Sequence, residues 1–143
     1  MRYIASGPDK SIEETRNVLD RFIRHHEKYG FSKWAVELPP TGELIGDSGL
    51  LLLEGGPDFD LGYRLARVYW GNGFATECGQ AWIEAAFSKL GLDRVVALAH
   101  PENAASIRIM IKLGMTYESP TCVHGMDCVL YSIRREGYTR PDD

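Results

Sequence analysis

Two glycines in the stretch of residues 69–77, with the sequence YWGNGFATE, give this chain its clearest chemical signal. The stretch follows an apolar run at residues 61–66 and leads into a segment with helical periodicity. A helix N-terminus presents backbone N–H groups without intrahelical partners, and the positive end of the helix dipole lies at the same place. Gly71 and Gly73 would let a phosphate come close without meeting a Cβ. The stretch therefore predicts an anion-binding loop, and we expect it to hold the pyrophosphate of a cofactor.

Polar and titratable side chains also lie on either side of this loop. Asp60 lies at the start of the segment ahead of the loop, and Asn103 and Ser106 lie where a second helix is predicted to begin. Residues three apart share a helix face, so these last two side chains are expected to be neighbours. His100 and His124 are of a type that titrates near neutral pH, although each also suits a structural or exposed position.

Composition limits the class of protein. A length of 143 residues suits one domain, 1–143, and the formal net charge of −4 without a Lys/Arg block argues against a nucleic-acid binder. The longest apolar run, residues 50–53, is too short to span a membrane, and no signal peptide is expected. Three cysteines without a Cys-x-x-Cys pair predict a reducing, cytoplasmic setting and no structural metal.

The elements that must position these residues can be predicted from hydrophobic periodicity, caps and turns. A first helix over residues 12–28, capped by Ser11 and Glu14 and ending near Gly30, is followed by three strands in an antiparallel meander and then by the loop. The remaining prediction is helix, strand, helix and a hairpin around residues 124–125. The predicted strands cover residues 33–38, 43–53, 60–66, 94–99, 115–123 and 127–133, and the later helices cover 75–90 and 103–113.

Finer expectations concern faces and pairs. In the first helix, five residues repeat at helical spacing, which predicts the helix itself: Ile12, Leu19, Phe22, Ile23 and His26. In the helix after the loop, the predicted buried face consists of Cys78, Ala81, Trp82, Ala85, Ala86 and Leu90. The adjacent pair His25 and His26 is interpreted as structural or solvated, since neighbours on a helix point to different faces. In the final hairpin, Cys122 and Cys128 could face each other.

Residues 69–77 resemble the coenzyme A loop of the GNAT N-acetyltransferases, and in particular of the RimJ/RimL-type ribosomal-protein acetyltransferases. A second signature of that subgroup is similar to residues 100–106 and 112–115 at the expected distance. The resemblance covers about residues 1–133, and the two motifs in order make it specific. It implies the α/β GNAT fold, with flanking helices on a mixed, mostly antiparallel sheet, and an acetyl-CoA-dependent N-acetyltransferase.

Three departures from the family pattern stand out. Trp70 takes the place of the Gln or Arg that usually opens the loop, which matters little if backbone groups bind the phosphates. Met110 takes the place of a Tyr that many members use as an acid toward the leaving thiolate. The family also has a strand and a helix ahead of the part that resembles residues 1–4. Either the chain is truncated there or its sheet edge is completed another way, for instance by a partner such as a second copy.

The resemblance assigns the cofactor-binding residues. Backbone N–H groups of the loop would bind the pyrophosphate, and Arg67 would either add charge near the phosphates or lie on the surface without that contact. The strand before the loop would pair with the pantetheine arm, its backbone around Leu65 donating to the acetyl oxygen. Asn103 would hold the pantetheine arm and cap its helix. The loop residues implied are Gly71, Asn72, Gly73, Phe74, Ala75 and Thr76.

Two catalytic residues are also implied. Asp60 lies where related enzymes have a carboxylate base, and water relay or steering of a cationic amine suits a short side chain better than direct abstraction. Its alternative is a strand-end Asp satisfied by a turn. Ser106 resembles the residue suggested as thiol acid where the Tyr is absent, and its alternative is a bond back to its own helix. No cysteine demands an acyl-enzyme step, so the amine is expected to attack directly in a ternary complex.

The acceptor amine has no legible code in the sequence. A protein N-terminal α-amine, a polyamine and a small amine all stay open, as do acyl groups other than acetyl. A different class of protein, a coenzyme A-binding module without catalysis, also fits the motifs. A Rossmann dinucleotide-binding protein does not, because its Gly loop follows the first strand of a parallel βαβ unit and this one follows a meander.

Overall fold

The computed structural model describes residues 12–39, 41–54 and 56–138. The order of elements is the predicted one, with small shifts at their ends, while the predicted Ser11 cap and the loop over residues 1–10 lie outside the described residues. The helices are α1 Ile12–Tyr29, α2 Phe74–Ser88 and α3 Ala104–Lys112. The strands are β1 Lys33–Leu38, β2 Glu43–Leu52, β3 Phe59–Leu65, β4 Arg94–Ala99, β5 Thr116–Val123 and β6 Met126–Arg134.

One sheet of six strands forms the body of the molecule, in the order β1-β2-β3-β4-β6-β5. Strands β3 and β4 run parallel, and every other neighbouring pair is antiparallel. Helix α2 connects the two parallel strands, as such a crossover requires. The predicted α/β class with a mixed, mostly antiparallel sheet is therefore confirmed.

The core lies between the sheet and helices α2 and α3. Leu50, Val95, Ile83 and Met110 are fully buried in a single cluster that joins strands β2 and β4 to both helices. A Cβ built on Gly79 of α2 would lie 2.6 Å from Leu113 Cδ1, so the two helices meet where α2 has no side chain. Burial of this apolar surface is the main force that holds the helices on the sheet.

The predicted buried face of α2 is right in part, since Ala86 is buried and Trp82 and Leu90 pack against the core. The buried residues of this helix are Gly79, Ile83 and Ala86, whereas Ala81 is exposed and Cys78 is only half-buried. Alanines surround much of this helix, so their spacing does not mark one face. The contact with α3 selects the side that carries Gly79 because two helix backbones approach most closely where no side chain intervenes.

Helix α1 lies at the surface of the molecule, since none of its residues is buried. The side chains that face the protein are half-buried and lie at i, i+4, i+7 and i+11, namely Val18, Phe22, His25 and Tyr29. Three apolar residues that repeat at helical spacing are exposed, with 75% of Ile12, 51% of Leu19 and 55% of Ile23 accessible. Aromatic contacts of His25 and Tyr29 with Phe59 select this side of the helix.

His25 ties α1 to the sheet. Its Nδ1 lies 2.8 Å from the Phe31 carbonyl oxygen, and its Nε2 accepts a hydrogen bond of 2.9 Å from the Leu52 backbone N–H. The first contact needs a proton on Nδ1 and the second needs a lone pair on Nε2, so both together require the neutral ring. His25 thus has a structural role, whereas its neighbour His26 is exposed and accepts from the Trp34 indole.

The hairpin of β5 and β6 turns at His124 and Gly125, as predicted, with φ values of 49° and 77°. These two positive values are those of a tight type I′ turn, which fixes the register of the flanking strands. Cys122 therefore pairs with Asp127, and Thr121 pairs with Cys128. The two cysteines are not opposite each other, so the expected facing pair is wrong, and all three cysteines are free thiols.

Candidate active site

The site begins where β3 and β4 part. Asp60 lies opposite Val96, and within the described residues no further pair follows along these two strands. On its other side β3 stays paired with β2 through its whole length, from Phe59 to Leu65. The sheet therefore opens into a V whose vertex is at Asp60, with β3 as one arm and β4 as the other. The arms lead to the start of α2 and to the start of α3.

The loop at the end of the β3 arm has the geometry that its glycines predict. Gly71 and Gly73 both adopt positive φ, 82° and 79°, and a Cβ built on either would meet no atom within 4 Å. Gly73 is the N-cap of α2, and among the described residues no side chain caps this terminus. The first N–H groups of α2 have no intrahelical acceptor, so they are available to an anion in the open space before them.

Side chains of the loop brace it against the sheet. The Trp70 indole donates a hydrogen bond of 2.9 Å to the Leu65 carbonyl oxygen, and the Tyr69 hydroxyl donates to Glu43. Asn72 donates to the Tyr69 carbonyl at 3.2 Å. Arg67 is exposed and lies over the Trp70 ring, with its Cζ 5.4 Å from the ring centroid. The side chains of the loop thus fix its conformation, and its backbone N–H groups at the start of α2 are available to a ligand.

The start of α3 carries Asn103 and Ser106 together, as their spacing predicts. The Asn103 Oδ1 accepts a hydrogen bond of 3.1 Å from the Ser106 backbone N–H, which caps the helix. This bond uses the amide oxygen and leaves the Asn103 NH₂ group for another partner. Met110, one turn further on, is 1% exposed and belongs to the core. The position of the absent family Tyr is therefore apolar and buried.

Tyr63 was not predicted as a site residue, and the structure places it beside Ser106. Its hydroxyl lies 3.2 Å from the Ser106 hydroxyl and donates a bond of 3.2 Å to the Ser106 carbonyl oxygen. The contact connects the β3 arm of the V to the helix that follows the β4 arm. Burial raises the pKa of Tyr63 to about 12, helped by the charge of Asp60 and opposed by the Ser106 bond. The phenol is therefore a protonated donor at neutral pH.

Burial makes Asp60 a much weaker acid than an exposed aspartate. Desolvation raises the pKa of its carboxyl from 3.8 to about 7, while the positive charge of Lys33 opposes that rise. A general base is most effective when its pKa lies near the working pH. The alternative, a strand-end Asp satisfied by a turn, would leave the carboxylate with its ordinary acidity. The carboxyl group at the vertex of the V therefore has a pKa close to neutral pH.

Behind the vertex, a cluster of charged groups holds the strands together. Arg94 of β4 bonds to Asp58 at 3.1 Å and to both carboxylate oxygens of Glu118 on β5, through Nη2 at 2.9 Å and through Nη1. The Ser132 hydroxyl of β6 donates to Glu118 at 2.7 Å. This Arg94 cluster joins the segment before β3 to the other half of the sheet at the closed end of the V.

The Arg94 cluster predicts a loss of stability in acid. Bonds from Arg94, and then from Ser132, lower the pKa of Glu118 from 4.5 to about 2. A carboxyl with a lowered pKa in the folded state contributes stability above its unfolded pKa. We therefore expect the free energy of unfolding to fall as the pH drops from about 4.5 to about 2. Urea unfolding of Glu118→Gln should show a shallower fall than the wild type across this window.

A matched variant checks that assignment. Glu37→Gln removes an exposed carboxylate of β1 and should leave the steepness of the acid transition unchanged. Equal slopes for the wild type and Glu118→Gln would show that the Arg94 cluster does not set acid stability.

The other sequence candidates fall outside the V or have structural partners. The His100 Nδ1 accepts from the Glu102 backbone N–H at 3.1 Å, which stabilises the turn into α3. His124 is an exposed turn residue of the hairpin. In the part of the chain that the structure describes, no group of three His, Cys, Asp or Glu side chains is placed to hold a metal ion. The described helices also include none with the length and apolar character needed to cross a membrane.

Comparison with known proteins identifies the family. Residues 1–116 match the Acetyltransferase (GNAT) domain. The chain is similar to the uncharacterized protein YkkB of Bacillus subtilis (strain 168), with 35% identity over 82% of this chain and 68% of the relative. It is 31% identical to the uncharacterized N-acetyltransferase YoaA of the same organism, over 82% of this chain and 67% of the relative. The matched segment thus spans about two thirds of these relatives.

A solved structure agrees with the sequence comparisons. The acetyltransferase (GNAT family) from Bacillus anthracis superimposes with a TM-score of 0.80 and 29% identity, covering 95% of this chain and 81% of that one. The V between β3 and β4, the loop before α2 and the six-stranded sheet therefore occur in a chain whose sequence and fold are both those of this family. The protein belongs to the GNAT acetyltransferase family and is an N-acetyltransferase.

Proposed function

We propose that the protein transfers the acetyl group of acetyl-CoA to a primary amine by direct attack in a ternary complex. The observation that carries this proposal is the V between β3 and β4, which leads from Asp60 to the uncapped N-terminus of α2. A long, thin donor with an anionic end suits such a cleft. The whole chain, 1–143, would act as one acetyltransferase domain.

The loop supplies the features that a pyrophosphate needs. The amides at the start of α2 point out of the helix, the dipole favours negative charge there, and both glycines leave room for phosphate oxygens. Gly71, Asn72, Gly73, Phe74, Ala75 and Thr76 would form this contact through their backbone. Arg67 would act through its charge from its place over Trp70.

The V itself would hold the rest of the donor. Leu65 ends the β3 arm, and backbone N–H groups of that arm that do not pair with β2 would point at the pantetheine and the acetyl oxygen. The free NH₂ group of Asn103 would donate to a pantetheine carbonyl from the other arm. Acetyl-CoA supplies an activated thioester, so the chain has to orient it, remove a proton from the amine and assist departure of the thiol.

Asp60 would accept the proton of the amine, directly or through one water. An α-amine has a pKa near 7.7–8.0, close enough to a carboxyl whose pKa is about 7 for proton transfer to be nearly balanced. An attack by a cysteine is disfavoured, because burial raises the pKa of the Cys78 and Cys128 thiols. A thiol with a raised pKa is a weaker nucleophile at neutral pH, which favours direct transfer.

Ser106, supported by Tyr63, would donate a hydrogen bond to the departing thiolate. The phenol has one proton, which would turn from the Ser106 carbonyl oxygen to the Ser106 hydroxyl and so free the serine proton for the sulfur. We expect Ser106→Ala to lower kcat by about a hundredfold, the low end for an acid, because a thiolate leaves readily. Acetyl-CoA affinity, measured by calorimetry, should change little.

The double variant tests whether the two hydroxyls act together. If they form one relay, Tyr63→Phe combined with Ser106→Ala should be no slower than Ser106→Ala alone. Losses that multiply would show independent roles for the two residues, and an unchanged kcat in both single variants would remove the acid role.

The decisive experiment is detection of released thiol with acetyl-CoA and a panel of acceptors. The panel should contain N-terminal peptides, including ribosomal-protein N-termini suggested by the RimJ/RimL-type motifs, together with polyamines and small primary amines. Turnover with any of them supports the proposal and names the acceptor. Tight coenzyme A binding with no turnover on the whole panel would favour the alternative, a coenzyme A-binding module.

A further inference from the structure

Lys33 occupies an unusual place on the sheet. It lies opposite Gly49 of β2, which in turn lies opposite Gly62 of β3. A Cβ built on Gly62 would be 1.6 Å from the Lys33 Nζ and 2.8 Å from its Cε. The lysine side chain therefore crosses β2 and ends on the bare backbone of Gly62 in β3. Any side chain at residue 62 would occupy the space that the ammonium takes.

The two glycines are what let the lysine reach this far. A Cβ on Gly49 would lie 1.9 Å from the Ser32 carbonyl oxygen and 2.8 Å from the Lys33 Cα, so β1 starts directly over this position. Residues two apart on a strand point to the same face, so Asp60, Gly62 and Arg64 share the face on which the ammonium lies. The Lys33 Nζ therefore lies over Gly62, two residues along β3 from Asp60 and on the same face of the sheet.

Among the neighbouring charges, Asp60 acts most strongly on Lys33. Arg64 bonds to Asp47 with its Nε at 3.1 Å and its Nη2 at 2.9 Å from the Oδ2, so those two charges are paired. Lys33 feels the attraction of Asp60 first, then that of Asp47, and the repulsion of Arg64. The other titratable groups that feel Asp60 are Tyr63 on the same strand and Cys128 on β6.

We propose that Lys33 is a positioning residue for catalysis, whose ammonium is the countercharge that keeps Asp60 able to ionise where the acceptor amine must lose its proton. The inference rests on the proposed function, since it gives Asp60 the role of base. Lys33 itself exchanges no proton with the substrate. It acts by stabilising the carboxylate before the proton arrives.

The direction of the effect follows from the two opposing influences on Asp60. Burial raises the pKa of its carboxyl to about 7, and Lys33 limits that rise. Without the ammonium, burial is unopposed and the carboxylate becomes harder to form. Burial also lowers the pKa of Lys33, so its ammonium gives up a proton more readily than that of an exposed lysine.

The test is a titration of the Asp60 carboxyl carbon by NMR in the full chain without acetyl-CoA. Lys33→Met keeps the length of the stem and removes the charge, so its Asp60 pKa should rise by about one unit or more, a tenfold weaker acid. Gly62→Ala keeps the charge of Lys33 but displaces its ammonium from the Gly62 backbone, so the Asp60 pKa should rise by less than in Lys33→Met. Lys89→Met, which removes an exposed lysine after α2, is the matched control and should give none.

Kinetics then connects the titration to catalysis. In Lys33→Met, the acid limb of the kcat profile should shift to higher pH together with the Asp60 pKa. The kcat of this variant should then be about tenfold below that of the wild type below neutrality and nearly equal to it at pH 9. Lys33→Arg, which keeps the charge, should restore the wild-type limb. Unchanged Asp60 titration in Lys33→Met and in Gly62→Ala would overturn the inference. Absence of turnover in the wild type would instead refute the proposed function, and the titration would still decide the role of Lys33.

Discussion

Replacing Gly73 by glutamate is expected to abolish the stabilisation that acetyl-CoA gives to the protein in a thermal-shift assay. A saturating ligand at about one hundred times its Kd stabilises a protein by about 2.7 kcal/mol. In Gly73→Glu, a carboxylate would stand at the N-terminus of α2, where the proposal places the pyrophosphate. Like-charge repulsion and loss of the open space should weaken binding by about two orders of magnitude or more, given the strength of charge-assisted bonds at such a site.

The backbone strain of this substitution needs its own control. Gly73 has a φ of 79°, so any side chain there costs about 1–3 kcal/mol of stability whether or not a ligand binds. Gly91, after α2, has a φ of 70° and equally open surroundings, but it lies at the other end of the helix. Gly91→Glu should lower the melting temperature to a similar extent and keep the full shift with acetyl-CoA. An undiminished shift in Gly73→Glu would show that the loop does not hold the cofactor.

Replacing Asp60 by asparagine is expected to lower kcat by about 10²–10⁴, the usual contribution of a positioned base. The loss should be greatest above neutral pH, because the wild-type carboxyl, with a pKa of about 7, ionises there and is a base only when ionised. Below that pH both proteins lack a working base and their rates should converge. The measurement is kcat at saturating substrates from pH 5.5 to 9.5, with the acetyl-CoA Kd as a check on folding.

Asp93→Asn is a suitable comparison for Asp60→Asn. Asp93 forms a surface ion pair with Arg135 at 3.5 Å, and 85% of its side chain is accessible. Its removal should leave the pH profile as it is. A profile for Asp60→Asn that still rises through pH 7 would assign that inflection to another group, and the base role of Asp60 would then be wrong.

These variants separate the two sides of the proposed reaction. Gly73 lies beyond the end of the β3 arm, where the proposal places acetyl-CoA. Asp60 lies at the vertex, where the proposal places the amine. A variant of the loop should change the affinity for acetyl-CoA, and a variant at the vertex should change turnover and its pH dependence. If a loop variant changed the pH dependence of turnover, or a vertex variant changed the affinity for acetyl-CoA, the two sites would be coupled through the V.

Features that depend on neighbours along the chain could be predicted from the sequence. The positive φ of Gly71 and Gly73 is required by the way a strand turns into a helix, and the Asn103 cap needs only a residue three positions on. The turn at His124 and Gly125 fixes its own register. In each case the interacting groups lie within a few residues, so local propensity decides the outcome.

Faces of helices were harder to predict, and the predicted buried face of α2 was right only in part. Helix α1 has apolar residues on more than one side, and the contacts of His25 and Tyr29 with Phe59 decide which side turns inward. In α2 the contact of Gly79 with Leu113 decides it. The periodicity of a sequence shows which side of a helix is apolar. Which side becomes buried depends on the shape of the element that packs against that helix.

The sequence by itself determined the order of the elements, the loop with its two glycines and the Asn103–Ser106 start of α3. Only the tertiary structure decided which groups surround the reacting centre. Tyr63 meets Ser106 across 43 positions of sequence, and Lys33 reaches Gly62 and the field of Asp60 by crossing a strand. Charge and burial act through space, so the acidity of Asp60 follows from its position at the vertex of the V, which no local pattern encodes.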